Sequence, residues 1–276
     1  MKLAPLPMPL PAPVIDNHTH YDMVLENPDK ELKTALDEAE TVGVSKIVQV
    51  GCDVPGSKWS VWAAQRDPRV VAAVAIHPNE APILAEKDEL EEALDEIEKL
   101  AQGPRVVAIG ETGLDYFRTG SEGITAQKTS FKKHIELAKK YGKTLQIHDR
   151  DAHNDIVEVL QEVGAPERTV FHCYSGDGKL AEICNDNGWY MSFAGTVTFK
   201  NAPNIREGLH TAKRELILCE TDAPFLSPHP YRGKKNSSYM TAITARFIAD
   251  ELNVDEKEMC EQLYKNTVAA YGEWDA

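Results

Sequence analysis

Apolar residues recur along this chain in two rhythms that take turns. Short dense runs, rich in β-branched residues, alternate with longer stretches whose apolar positions return every three or four residues. The short runs read as strands at 14–17, 45–51, 69–76, 105–110, 144–148, 168–173, 189–193 and 215–219. The longer stretches read as helices at 29–41, 55–66, 85–101, 124–141, 152–162, 178–187 and 202–211. Two more helices follow near 239–250 and 255–271. The helix at 85–101 is the clearest, with Leu90, Leu94, Ile97 and Leu100 on one stripe. Strands alternating with helices predict a parallel sheet with helical crossovers. Eight such units in 276 residues predict a (β/α)8 TIM barrel. The alternative is an open doubly wound sheet, but no Gly-rich dinucleotide fingerprint follows the first strand.

Composition narrows the picture. Hydrophobic residues make up 42% and charged residues 27%, ordinary for a globular protein, and no apolar run approaches the ~18 residues of a membrane span. Prolines at 5, 7, 9, 11 and 13 forbid a helix and interrupt any signal-peptide core. Residues 1–13 are therefore expected as an extended arm, with one barrel domain over 14–276. The five cysteines are odd in number and contain no C-x-x-C pair, so a reducing, cytoplasmic compartment is expected. Cys52, Cys173 and Cys219 fall in strand-like stretches and read as small core residues. The net charge of −14 disfavours coating of long duplex DNA. Contact with nucleic acid would have to be local or bridged by cations. No obligate protein partner is inferred.

In a TIM barrel the active site lies at the C-terminal ends of the strands. Polar residues follow the apolar runs at those ends. His18 and His20 come first, two apart, so an extended backbone points both to one side. Alone, such a pair is an ordinary feature of a surface loop. His77, Glu111, His148, His172 and Asp222 follow later runs in the same position. His18, His20, Glu111, His148, His172 and Asp222 are six nitrogen and oxygen donors, too many for one zinc with an open position. They suit two divalent ions sharing a carboxylate, with zinc, manganese and magnesium all chemically acceptable. Glu111, with two oxygens, is the natural bridge. Asp222 suits both ligation and general-base catalysis. Around this set, Arg232, Lys234 and Lys235 form a compact basic loop that could hold phosphates. Arg150 and His77 are further candidates for substrate contact. Tyr116 and Phe117 are expected to pack on a helix rather than stack a base, and Asp115 to support its neighbours rather than bind an ion.

These stretches also carry a resemblance. IDNHTHYD (15–22), IHPNEA (76–81), IGETGLDYFR (109–118), QIHDRDA (146–152), FHCYSGD (171–177) and ETDAPFLSPHPYRGKKN (220–236) resemble the TatD-type metal-dependent deoxyribonucleases. The match runs in order from about residue 14 to the C-terminus. It implies a TIM-barrel metallohydrolase of the amidohydrolase superfamily. It implies that His18, His20, Glu111 and Asp222 hold one ion and Glu111, His148 and His172 the second. It further implies hydrolysis of DNA, supported by magnesium or manganese and often 3′–5′ exonucleolytic; a net charge of −14 with one basic loop suits DNA ends or short single strands better than long duplex. A carbonyl-ester substrate, such as a lactone or a D-aminoacyl-tRNA, would use the same barrel and is the alternative. The chain departs from the family at its proline-rich arm, at Asn79 where a second histidine is common, and at Asn236-Ser237-Ser238-Tyr239 after the basic segment.

Overall fold

The computed structural model describes residues 3–274. Eight strands form one all-parallel sheet in sequence order. They are β1 (Val14–Thr19), β2 (Val44–Val50), β3 (Val70–Val74), β4 (Val106–Asp115), β5 (Thr144–Arg150), β6 (Thr169–Phe171), β7 (Tyr190–Phe193) and β8 (Ile217–Cys219). The helices are α1 (Tyr21–Val24), α2 (Pro28–Thr41), α3 (Val54–Arg66), α4 (Glu80–Glu86), α5 (Leu90–Ala101), α6 (Ile124–Tyr141), α7 (His153–Val163), α8 (Gly178–Asn187), α9 (Pro203–Thr211), α10 (Thr241–Glu251) and α11 (Glu256–Tyr271). The expected TIM barrel is the observed one. It closes where β1 meets β8: Asp222 N–H donates to the His18 carbonyl and His20 N–H to that of Ala223. Asp16 reinforces this seam, accepting from Thr221 N–H at 2.9 Å and from its hydroxyl at 2.6 Å. Burial pushes the Asp16 carboxyl up to about 7.

Strand residues alternate between two cores, as a period of two requires. Ile15, Val48, Val50, Val71, Ala73, Ala108, Val170 and Leu218 form one buried cluster. Val14, Ile47, Val70, Ala72, Ile109, Leu145 and Phe171 join the larger cluster shared with the helices. Ala270, Tyr271 and Trp274, at and beyond the end of α11, join the first cluster. Their backbone oxygens meet residues near the strand starts: Ala270 accepts from the Thr144 hydroxyl and Trp274 from the Lys46 ammonium. The C-terminal stretch thus covers the N-terminal end of the barrel.

The structure corrects several sequence expectations. The helix expected at 85–101 is two helices, α4 and α5, separated at Asp88, whose φ is 59°. The stripe of Leu90, Leu94, Ile97 and Leu100 lies wholly within α5, and residues 85–89 contain no glycine or proline to mark the break in the sequence. β1, β4 and β5 run past their apolar stretches through His18, through Glu111–Asp115 and to Arg150. Backbone pairing continues there although the side chains have turned polar. Gly113 permits the closest part of the β4–β5 contact: its φ is +144°, and any Cβ would collide with the His148 carbonyl. β6 and β8 are only three residues each, shorter than expected. In the proline-rich stretch, residues 1–2 lie outside the described residues. From Leu3 onward the chain is held along the barrel. Ala4 is buried, its carbonyl accepting from Tyr239 Oη at 2.6 Å, and Leu10 N–H donates to the Val42 carbonyl at 3.0 Å.

Candidate metal centre

Every ligand-type residue expected from the sequence reaches the C-terminal mouth of the barrel, and Glu111 stands at the middle of them. Its two oxygens face different histidines. Oε2 lies 3.6 Å from His18 Nε2 and 3.7 Å from His20 Nε2. Oε1 lies 2.6 Å from His148 Nδ1, 2.8 Å from His172 Nε2 and 3.4 Å from His77 Nε2. Asp222 Oδ1 joins the first group, at 3.4 Å from His20 Nε2 and 3.8 Å from His18 Nε2. The two histidine nitrogens are 3.0 Å apart. Donors about 2.1 Å from a tetrahedral cation lie about 3.4 Å from one another. The five measured separations among His18, His20, Glu111 and Asp222 bracket that value.

Neighbouring groups fix which nitrogens carry lone pairs. His20 Nδ1 faces the Val50 carbonyl at 2.9 Å, which only accepts, so Nδ1 donates and Nε2 offers its lone pair inward. His172 Nδ1 is directed at Glu220 Oε1, 3.0 Å away, leaving its Nε2 toward Glu111. His77 is the reverse. Its Nδ1 accepts the Asn79 N–H at 3.0 Å, so its Nε2–H is a donor aimed at Glu111. His18 and His172 stack with ring centres 3.8 Å apart and planes 13° from parallel.

The charge balance of the centre is unusual. Glu111 and Glu220 are buried and Asp222 is nearly so. Among the described residues, the ion pairs of all three are with histidines, not with lysine or arginine. Burial would raise the Glu111 carboxyl, yet His172, His77 and His148 hold it well below the usual range. Burial opposes charge on His172 as well, but Glu111 and Glu220 lift it well above the ordinary imidazole value. Burial holds His18 low. His18 Nδ1 and Glu220 Oε2 are buried without a hydrogen-bond partner. Buried carboxylates attract positive charge strongly, and neutral imidazole beside carboxylate is a donor set for divalent transition metals. The residues present therefore fit divalent cations.

Two side chains here were not expected from the sequence. Glu220 orients His172 and accepts the Cys173 N–H at 3.0 Å. Its signal was the Glu-Thr-Asp spacing, in which Asp222 drew the attention. Cys52 is no ordinary core residue: its thiol lies 3.7 Å from both His20 Nδ1 and Glu111 Oε2. Burial pushes that thiol up to about 12, so it stays protonated. Asp115 links the centre to the rim, with Oδ2 3.1 Å from His148 Nε2 and Oδ1 accepting from Phe117 and Arg118 N–H. Backbone φ is positive at Asp151, Cys173 and Asp222, after β5, β6 and β8. Such non-glycine outliers gather at functional sites.

The expected phosphate contacts lie around the rim. Arg150 ends β5 with its guanidinium 3.9 Å from the Phe117 ring centre. Arg232 and Lys234 are exposed on the loop after β8, Arg232 lying 4.4 Å over the Phe199 ring. Tyr116 packs as expected, with Oη 2.6 Å from Asp155, but Phe117 is exposed. His134, His153, His210 and His229 are absent from the donor groups. No helix among the described residues is long and apolar enough to cross a membrane.

Comparison with known proteins places this geometry in a family. A family model described as TatD related DNase matches residues 15–272. The metal-dependent hydrolase TatD of Mycobacterium tuberculosis is 39% identical over 263 residues, covering 94% of this chain and 98% of that protein. The metal-dependent hydrolase YabD of Bacillus subtilis is 36% identical over 238 residues, covering 86% and 90%. Among solved structures, the TatD homologue YjjV of Escherichia coli matches with a TM-score of 0.86 at 23% identity, covering 94% and 98%. A zinc-bound amidohydrolase from Burkholderia multivorans matches at 0.58 and 12%, covering 94% and 99%. These structural likenesses show a shared fold. The chain belongs to the TatD-related DNase family of metal-dependent hydrolases.

Proposed function

We propose that this protein is a deoxyribonuclease that hydrolyses phosphodiester bonds at DNA ends or in short single strands, using two divalent cations. The observation that carries the reading is the division of Glu111: one oxygen toward His18 and His20, which Asp222 also approaches, the other toward His148 and His172. In this reading His18, His20, Glu111 and Asp222 hold one ion, and Glu111, His148 and His172 the other. When bound, such ions lower the pKa of water and neutralise charge on phosphoryl oxygens.

The chain's own residues supply the rest. Asp222 accepts the proton of the attacking water. His77, held as an Nε2–H donor by the Asn79 N–H at its Nδ1, turns that donor from Glu111 Oε1 to an oxygen of the substrate when substrate binds. Glu220 and the Val50 carbonyl keep His172 and His20 in one tautomer and orientation. Arg150, Arg232 and Lys234 bind phosphates beside the scissile one. Confining positive charge to a few rim residues suits ends and short strands in a chain of net charge −14.

Incubation of the metal-loaded protein with end-labelled single-stranded DNA tests the reading. The expected result is cleavage with Mg²⁺ or Mn²⁺, abolished by EDTA and lowered about 10³-fold in Asp222→Asn. Metal binding with no cleavage of DNA, but turnover of lactones or D-aminoacyl-tRNA, would overturn it in favour of a carbonyl-ester hydrolase.

A further inference from the structure

Water-exposed aromatic rings gather at one place on this molecule. Of its seven phenylalanines only Phe117 and Phe225 are exposed, at 64% and 52%, and no tyrosine or tryptophan is. Phe117 lies two residues beyond the end of β4, and Phe225 lies in the turn after β8. In a ring ordered β1 to β8 those strands stand opposite each other. The two residues therefore stand on opposite sides of the mouth, on turns that follow the strand carrying Glu111 and the strand preceding Asp222. Isolated exposed apolar side chains need no explanation. Two phenyl rings that are, among the described residues, the only exposed phenylalanine, tyrosine or tryptophan side chains, and that stand at opposite sides of one mouth, do.

Both rings stand on turns tied to the centre. Phe117 N–H donates to Asp115 Oδ1 at 3.0 Å, while Asp115 Oδ2 meets His148 Nε2 at 3.1 Å. Phe225 N–H donates to the Asp222 carbonyl at 2.8 Å. The backbone of each phenylalanine is thus tied to a residue of the centre or to one that touches it. The Arg150 guanidinium, 3.9 Å from the Phe117 ring centre, covers one ring face and places a cation beside it. A planar aromatic group next to a phosphate matches that pairing.

We propose that Phe117 and Phe225 are stacking platforms for the bases on either side of the cleaved phosphodiester in a single strand of DNA, a role that rests on the nuclease reading above. Stacking on a phenyl face accepts every base, so the grip is sequence-tolerant and favours unpaired strands. It also supplies affinity where the chain's overall negative charge cannot.

Two readouts test this with Phe117→Ala, Phe225→Ala and the corresponding Trp variants. The first is the ratio of kcat/KM for a single strand to that for the same strand with abasic residues flanking the cleaved bond. The ratio should fall about tenfold in each Ala variant and recover in each Trp variant. The second is the fluorescence of 2-aminopurine placed at those flanking positions, which is quenched on stacking. Quenching should weaken at one position per Ala variant. A wild type that quenches without cleaving would support the platforms and remove the nuclease reading. A wild type that cleaves, with ratio and quenching unchanged in both Ala variants, would overturn the platforms alone. Neither quenching nor cleavage would overturn both.

Discussion

The two ends of the barrel are built from the same eight strands and solve opposite problems. At the N-terminal end, Tyr271 and Trp274 extend an apolar cluster of strand residues, and the hydroxyl of Tyr271 is satisfied by Gln146 at 2.7 Å. At the C-terminal end, buried Glu111, Glu220, His18, His20 and His172 converge, with carboxylate–imidazole separations of 3.6, 3.7, 2.8 and 3.0 Å, and His18 Nδ1 and Glu220 Oε2 are left without a hydrogen-bond partner. One end is apolar, and the atoms it leaves without a hydrogen-bond partner, Trp274 Nε1 and Gln146 Oε1, are neutral. The other is polar, charged and open to a ligand. The difference teaches where stability and chemistry separate in this fold: the bottom holds the ring shut, and the mouth tolerates a costly charge arrangement because the rest of the barrel fixes it.

Substitutions at the two ends should therefore separate activity from stability. The largest effect is expected from replacing His18 and His20 together by alanine. Hydrolysis should drop below about 10⁻⁴ of wild type, while circular dichroism and a cooperative melt report an intact fold. Activity within tenfold of wild type would break the contrast. At the other end, Trp274→Ala should cost about 3 kcal/mol in denaturant unfolding. Its kcat should stay within twofold, because only the apolar closure is lost.

A third effect follows from His134, on α6. This buried ring donates Nδ1–H to the Ser130 carbonyl and accepts the Ile76 N–H at Nε2. Burial lowers it from 6.5 to about 4. Below about pH 6.5 the unfolded chain takes up a proton that the folded chain refuses. Stability is thus fully present above that pH and is lost progressively as pH falls toward 4, by about 3 kcal/mol. His134→Gln should lose correspondingly less across that window in urea titrations at stepped pH. The smallest effect is expected at the rim. Arg232→Ala with Lys234→Ala should raise KM for single-stranded DNA about tenfold, with kcat little changed and a shallower salt dependence. Equal losses on a neutral ester would show that these cations do not grip phosphate.

Much of this is legible in the amino-acid sequence alone. The alternation of strand and helix rhythms led to the barrel, because parallel strands buried on both faces leave dense apolar runs. The ligand-type residues were legible because the barrel fixes where strands end, so His18, His148 and Asp222 could be read as neighbours despite their separation in sequence. Roles that depend on side-chain direction were not. Cys52 looked like a core residue because nothing in its spacing says that its thiol turns toward Glu111. Glu220 stands two residues before Asp222, and only the structure shows that it turns to His172 while Asp222 turns to His18 and His20. Phe117 looked like a packing residue, since exposure of an aromatic ring is set by the Asp115 turn rather than by local propensity. The break at Asp88 carries no signal in the sequence, because residues 85–89 contain neither glycine nor proline.

The central claim is that Glu111 is shared by two cation sites. Counting bound Mn²⁺ per chain by equilibrium dialysis, in wild type and in two double variants, tests it most directly. Wild type should saturate at two ions, and His18→Ala with His20→Ala, or His148→Ala with His172→Ala, at one each. Saturation of the wild type at a single ion, or loss of all binding in both double variants alike, would contradict it.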